Sequence, residues 1–256
     1  MRENQTKRAL EAGETVFGTM TVEFRAPSIA QIFVVCGFDF MLIDTEHSAY
    51  TTETVTDIIW TSKMSGITPI VRVQELQYSF ISRALDSGAQ GVMVPHVETP
   101  EQAQAVVHYV KFPPLGRRGL ATGTSHSDFA PGNVAEFIAV ANRETMVVIQ
   151  VESRKAVEQV EELVSVPGVD VALMGLNDLS KSYGVVGQTD HRDVQSAIDR
   201  VIDACGKHGV VSGIHTGNLD LIERLMAKGM RFIAWSSDVG MILEGGKGAL
   251  RRLRRD

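Results

Sequence analysis

Short apolar runs rich in Val, Ile, Phe and Met recur along the chain, separated by longer stretches in which apolar and polar residues follow a helical period. The runs are VFGTM (16–20), FDFMLID (38–44), TPIVRV (68–73), GVMVP (91–95), TMVVIQVE (145–152), VDVALMG (169–175), GVVSGIH (209–215) and MRFIAWS (230–236). Continuous rather than alternating hydrophobicity predicts strands buried on both faces, as in a parallel sheet. Between them, 51–66 offers Thr residues for a helix start and a Gly for its end, and 77–88 and 218–229 also end in Gly. Thr99-Pro100 opens 99–110 as an N-cap followed by proline at the first helical position. Eight strand-then-helix units in 256 residues match the count and size of a TIM (β/α)8 barrel, a single α/β domain covering residues 1–256. A doubly wound open sheet competes less well, because no GxGxxG follows the first strand. The longest irregular stretch, 111–132, follows the fourth unit; loops of this length inside compact domains are often functional.

Catalytic side chains of such barrels come from the C-terminal ends of strands and the loops after them. Strand 2 delivers Asp44, Glu46 and His47 there, and strand 3 delivers Arg72. Strand 5 delivers Gln150 and Glu152, two apart and so on one face. GLNDLS after strand 6 carries Asn177 and Asp178, strand 7 ends at His215, and strand 8 ends at Ser236, Ser237 and Asp238. Singly each has a structural use: Arg72 can neutralise a neighbouring carboxylate, and Asp44 or Asp178 can cap a helix. Jointly, an arginine, a histidine and several carboxylates at one barrel mouth are costly to bury unless they serve each other or a ligand.

Composition narrows the chemistry. A formal charge of −6 gives no reason to expect nucleic acid, and the basic end at 251–256 reads as a solvated terminus or a subunit contact. Cys36 and Cys205 are far apart without CxxC spacing, as expected of reduced thiols. The polar N-terminus and the absence of any apolar run near about 18 residues predict a cytoplasmic protein without a membrane span. Glu152 and Asp178, on adjacent strands without a nearby Cys or clustered His, suit a hard cation such as Mg²⁺ or Mn²⁺. Zn²⁺ is disfavoured by ligand type. None of the eight runs contains a lysine; Lys155 and Lys181 lie in loops or first helical turns, so a metal-dependent route is preferred to an imine.

At this level the chain resembles the HpcH/HpaI family of metal-dependent 2-oxo-acid aldolases, whose members include 4-hydroxy-2-oxoheptanedioate aldolase. GFDFMLIDTEHSAY carries the likeness, followed in family order by PIVRV, ALDSGAQGVMVPHVETPEQA, KFPPLGRRG, VVIQVES, GLNDLSKSYG and SSDVGMI, together spanning about Phe17 to Met241. The resemblance implies a barrel of the phosphoenolpyruvate/pyruvate type and class II cleavage of a 4-hydroxy-2-oxo acid to pyruvate and an aldehyde through a metal-stabilised enolate. It implies Glu152 and Asp178 as ligands of Mg²⁺ or Mn²⁺, with Co²⁺ or Zn²⁺ as further candidates. Arg72 would contact the pyruvate oxo group, and His47, oriented by Asp44, would be the general acid/base. Gln150 would stand beside the metal, and the backbone around Gly175 and Asn177 would hold the pyruvate carboxylate. Glu46 is read as structural. The resemblance also implies a hexamer with an exchanged C-terminal helix, in which Asp86 approaches a neighbouring subunit's site; a plain helix-end aspartate is an equal reading of that residue. Departures from the family pattern at Leu176-Asn177, at 120–130 and at Trp235 are expected to border the second-substrate pocket. The alternative reactions are oxaloacetate decarboxylation, through the same enolate, and a citrate-lyase-type acyl-CoA lyase. The latter needs cations for the CoA phosphates, for which GRRG (116–119) and the basic end are the candidates. A barrel that merely binds a metal–oxo-acid complex is the non-enzyme reading.

Overall fold

A computed structural model describes residues 2–130 and 132–254. In chain order the elements are α1 (Gln5–Glu11), β1 (Val16–Thr21), α2 (Ile29–Cys36), β2 (Phe40–Asp44), α3 (Thr52–Ser65), β3 (Thr68–Arg72), α4 (Tyr78–Asp86), β4 (Gly91–Val94) and α5 (Pro100–Val110). They continue with α6 (Val134–Glu144), β5 (Met146–Val151), α7 (Arg154–Glu158), α8 (Val160–Val164), β6 (Val171–Met174), α9 (Leu176–Ser182) and α10 (Arg192–His208), then β7 (Val211–Thr216), α11 (Leu219–Ala227), β8 (Phe232–Ser237) and α12 (Asp238–Arg254). The eight strands pair in parallel, each with its sequence neighbours, and β1 closes on β8: a TIM-type barrel, as the apolar runs predict.

Strand periodicity sorts each run into two layers. Odd members such as Met41, Ile43, Val71, Val147 and Ile149 pack outward against the helices. Phe40, Leu42, Ile70, Met93, Met146, Val148, Val171, Leu173, Val211, Phe232 and Ala234 fill the barrel interior. The Phe40 and Phe232 rings stack at 4.1 Å between centroids. Gly18 and Gly213 make room for them, since a side chain at either would run into these rings. The N-terminal mouth is plugged by α1, which adds Leu10 to the interior cluster. Asn4 fastens it, donating from Nδ2 to the carbonyls of Gln90 and Glu144, both at 3.0 Å.

Local signals behave as read. Thr99 and Gln102 form a reciprocal capping box with Pro100 at the first position of α5. Thr51 caps α3, and Gly66 ends it at φ +86°, a left-handed turn that glycine adopts without penalty. Both cysteines are free; Cys36 is exposed and Cys205 buried, its thiol pushed up to about 12 by burial. No helix among the described residues is long and apolar enough to cross a membrane.

Of α12 only Asp238 is buried, while Ile242, Leu243, Leu250 and Leu253 are exposed. Arg255 and Asp256, which complete the basic end, lie outside the described residues. None of the described residues of the long 111–132 segment lines the barrel mouth. The segment packs outside against α3 and α4: Trp60 stacks on Phe129 at 5.2 Å, Lys63 Nζ lies 2.7 Å from Asp128, and Arg118 Nη2 donates to Asp86 at 2.7 Å.

Candidate active site

The inward-facing series of each strand does not stop where hydrophobicity stops. It runs Phe40, Leu42, Asp44 on β2; Ile70, Arg72 on β3; Met146, Val148, Gln150 and then Glu152 on β5; Leu173, Gly175 after β6; and Gly213, His215 on β7. These polar ends line one cavity of about 570 Å³ at the C-terminal mouth, together with His47, Leu176, Asn177 and Asp178. Parity along each strand therefore brings most of the predicted residues together.

Asp44 and Arg72 are register partners on adjacent strands. Arg72 donates from Nε to Asp44 Oδ1 at 2.9 Å and from Nη2 to Oδ2 at 2.8 Å, a bidentate fork. The carboxylate is only 1% exposed. Burial alone would raise its pKa, but the Arg72 guanidinium and the N–H groups of Glu46 and His47 hold it below the ordinary carboxylate value. Arg72 stays charged for the converse reason: burial opposes its charge, and Asp44 outweighs burial.

This arrangement differs from the expected acid/base pair. Asp44 does not touch the His47 imidazole; its Oδ1 accepts from the His47 backbone N–H at 3.3 Å and from that of Glu46 at 3.0 Å. The side chain faces Arg72 because strand register puts the two opposite each other, whereas the His47 ring stands in the turn beyond, 63% exposed. The carboxylate near His47 is Glu46, whose Oε1 lies 3.8 Å from His47 Nε2 and whose Oε2 lies 3.2 Å from Arg72 Nη1. Glu46 is thus part of the site's charge network.

His96 went unrecognised in the sequence. It follows β4 in the left-handed region at φ 57°, rare for a side chain with a Cβ. Its N–H donates to Glu152 Oε1 at 2.8 Å, its Nδ1 lies 2.8 Å from the same oxygen, and its Nε2 lies 3.2 Å from Glu46 Oε1. Strand parity would turn His96 outward with Val92 and Val94, and only the left-handed backbone after β4 brings it to Glu152.

Glu152 Oε2 accepts from Gln150 Nε2, and both side chains are buried. Burial raises the Glu152 pKa, opposed by His96 and assisted by the nearby Glu46 and Asp178 charges. Gly175 leaves room for this pair: a Cβ there would lie 2.6 Å from Glu152 Oε2 and 2.8 Å from Gln150 Nε2. Asp178 stands in the first turn of α9, 3.4 Å from Lys181 Nζ. Among the described residues no group of three or more His, Cys, Asp or Glu is arranged as a metal cluster. The residues nonetheless fit a hard cation: a desolvated carboxylate with a raised pKa, a second carboxylate beside it, and a buried Gln150 Oε1 without a partner, all oxygen donors. Gly175→Ala is expected to displace Glu152 and cut turnover at least tenfold with the fold retained, checked by kinetics alongside circular dichroism; wild-type turnover would refute the cradle.

Other predicted residues lie elsewhere. Asp86 ends α4 bonded to Arg118, away from the cavity of its own chain. Asp238 is committed to structure, its Oδ2 accepting from Thr21 Oγ1 and the N–H groups of Val22, Glu23 and Phe24 at 2.9–3.1 Å. Of the departures from the family pattern, Leu176 and Asn177 line the cavity, Trp235 stacks on Phe38 at 6.5 Å, and 120–130 lies outside.

Known proteins place this geometry. Residues 20–244 match the family model of the HpcH/HpaI aldolase/citrate lyase family. The chain is 35% identical over 244 residues, 95% of its length and 94% of the relative's, to the hydroxypyruvate/pyruvate aldolase of Roseobacter denitrificans. It is 32% identical to the 5-keto-4-deoxy-D-glucarate aldolase of Shigella dysenteriae, covering 93% of this chain and 92% of that one. The crystal structure of the HpcH/HpaI aldolase from Desulfitobacterium hafniense superposes with a TM-score of 0.93 at 32% identity, over 97% and 96% of the two chains. A polar-mouthed barrel matching aldolases over nearly its full length, this chain belongs to the HpcH/HpaI aldolase/citrate lyase family and is a carbon–carbon lyase.

Proposed function

We propose that the protein is a divalent-metal-dependent aldolase that reversibly cleaves a 4-hydroxy-2-oxo acid to an aldehyde and pyruvate, or hydroxypyruvate as the name of the Roseobacter relative suggests. The observation that carries this reading is the convergence of the Arg72–Asp44 pair with Gln150, Glu152 and Asp178 on one cavity, with His47 at its rim. A cation, Mg²⁺ or Mn²⁺ by donor type, would be held by Glu152 and Asp178 and would supply Lewis-acid polarisation of the 2-oxo acid. Arg72, locked by Asp44, presents a fixed positive charge to the oxygen that becomes negative when a C3 proton leaves. Asp44 is the positioning residue for that guanidinium. The first-turn N–H groups of α9, beside Gly175 and Asn177, lack intrahelical acceptors and suit the substrate carboxylate. His47 is open to solvent and carries the proton to or from the aldehyde-derived oxygen, with Glu46 near its ring.

The acyl-CoA alternative finds little support in GRRG or in the cavity. Arg118 is buried on Asp86, Arg117 lies over the Tyr109 ring, and among described residues lining the cavity Arg72 is the sole Arg or Lys. The exposed apolar residues of α12 support a homo-oligomer, a hexamer by the family resemblance, in which this helix packs on another copy and Asp86 serves a neighbouring mouth. A cytoplasmic location accords with both free thiols.

The test combines pyruvate and a panel of aldehydes with Mg²⁺ or Mn²⁺ and reads aldol product. EDTA should abolish product formation and added metal restore it. Borohydride with pyruvate should trap no adduct, because Lys155 and Lys181 pair with Glu98 and Asp178 instead of projecting from a strand. Chelator-resistant turnover, or a stable adduct on either lysine, overturns the assignment.

A further inference from the structure

His215 is the last inward residue of β7 and lines the cavity with Arg72, Gln150 and Glu152, yet the chemistry above does not use it. Its Nε2 lies 2.8 Å from the Ser236 carbonyl oxygen. A carbonyl only accepts, so Nε2 carries the ring proton and Nδ1 keeps a lone pair. Burial lowers the imidazole pKa and the Arg72 charge adds to the fall, against the Ser236 carbonyl and Asp44. Burial thus favours the neutral ring, whose tautomer the Ser236 carbonyl fixes. Nδ1 makes no hydrogen bond to another described residue.

The partner carbonyl is itself held in an unusual pose. Ser236 sits at φ 56°, in the left-handed region. It lies in a bulge of β8, where Gly18 pairs with Ala234 but Met20 pairs with Ser237. A Cβ at Gly240 would collide with Ser236 Oγ, so that glycine accommodates the pose. Bulges and strained residues of this kind re-aim groups beside active sites. Here the bulge turns a carbonyl toward His215 and so determines which ring nitrogen stays free.

We propose, resting on the aldolase reading, that His215 is a specificity residue whose Nδ1 accepts a hydrogen bond from a substrate hydroxyl, favouring α-hydroxylated carbonyl compounds. Only a donor satisfies that lone pair. An oxo or carboxylate oxygen cannot, and a methyl group would bury it unpaired, which is how a polar site discriminates against an analogue lacking one hydroxyl. The hydroxyl can belong to the nucleophile, as at C3 of hydroxypyruvate, or to the aldehyde, as in glycolaldehyde.

The experiment measures kcat/KM for pyruvate or hydroxypyruvate against acetaldehyde or glycolaldehyde, in wild type, His215→Leu and His215→Gln. His215→Leu removes the acceptor at similar bulk, and His215→Gln keeps an N–H for the Ser236 carbonyl. The ratio of hydroxylated to unhydroxylated substrate is expected to fall about tenfold in His215→Leu and by less in His215→Gln, whose Oε1 still accepts. A fall in the hydroxypyruvate/pyruvate ratio assigns the contact to the nucleophile, and one in the glycolaldehyde/acetaldehyde ratio assigns it to the aldehyde. General damage lowers all four rates and leaves the ratios alone. Nitrogen NMR of the wild-type His215 ring adds a readout independent of the variants' folding: Nδ1 should be unprotonated and should shift more with hydroxypyruvate or glycolaldehyde than with their unhydroxylated analogues. Unchanged ratios and equal shifts overturn the His215 proposal alone, whereas a wild type inactive with all four pairs sinks the aldolase reading together with it.

Discussion

Arg72→Ala is expected to slow exchange of the pyruvate C3 protons with solvent by about 10²–10³-fold, the range for losing one preorganised group at a developing oxyanion. The same variant should lose about 3–5 kcal/mol of unfolding free energy, because Asp44 would be left buried without its partner. The pH dependence gives the sign. In the wild type the Asp44 pKa lies below 3.8, so its contribution is present above that value and is lost as pH falls through the folded pKa. Without Arg72, burial dominates and pushes the carboxyl upward, so the variant's deficit should shrink on acidification from pH 7 toward 5. Arg72→Ala combined with Asp44→Ala should recover much of the stability and none of the exchange. Denaturant titrations at several pH values and deuterium uptake at C3 check these outcomes. Exchange at the wild-type rate would remove Arg72 from the enolate chemistry.

Glu152→Gln separates metal binding from folding. At neutral pH the buried Glu152 carboxylate is a liability to the metal-free protein. Its folded pKa is raised, so the folded state holds its proton more tightly and stability declines as pH rises from the unfolded value of 4.5 through the folded one. A neutral amide removes that cost. Its carbonyl can still accept the His96 N–H, and a flipped Gln150 amide can meet its NH₂ through Oε1, which has no partner now. In EDTA the variant should therefore unfold at or above the wild-type midpoint. With Mn²⁺ or Mg²⁺ at a hundred times its Kd, wild type should gain about 2.7 kcal/mol and the variant far less. Turnover should drop at least about a thousandfold, consistent with several kcal/mol of charge stabilisation supplied at the metal. Thermal midpoints with and without metal decide the binding role independently of activity, and equal metal-induced shifts in both proteins would exclude Glu152 as a ligand.

How much of the site was legible depends on whether a residue's position follows from its own strand. Asp44, Arg72, Gln150 and Glu152 follow interior residues at a spacing of two, so period alone aims them inward. Asp178 and Asn177 follow β6 by chain order alone. What Asp44 does was not legible, because its bond to Arg72 rather than to the His47 ring depends on the register between β2 and β3. Glu46 and His96 belong to turns, and His96 reaches Glu152 only through a left-handed residue after β4. The place of the 111–132 segment was not legible for a similar reason: nothing local shows that Trp60 and Lys63 of α3 hold Phe129 and Asp128 outside their own barrel.

The amino-acid sequence by itself determined eight doubly buried strands, the helices between them and the end of the barrel at which polar side chains emerge, because periodicity and capping act within a few residues. Only the tertiary structure decided which of those polar groups touch, which carboxylate neighbours which histidine, and which nitrogen of His215 is left open. Those contacts join residues tens of positions apart, and their geometry is set by strand register, a bulge in β8 and the packing of loops.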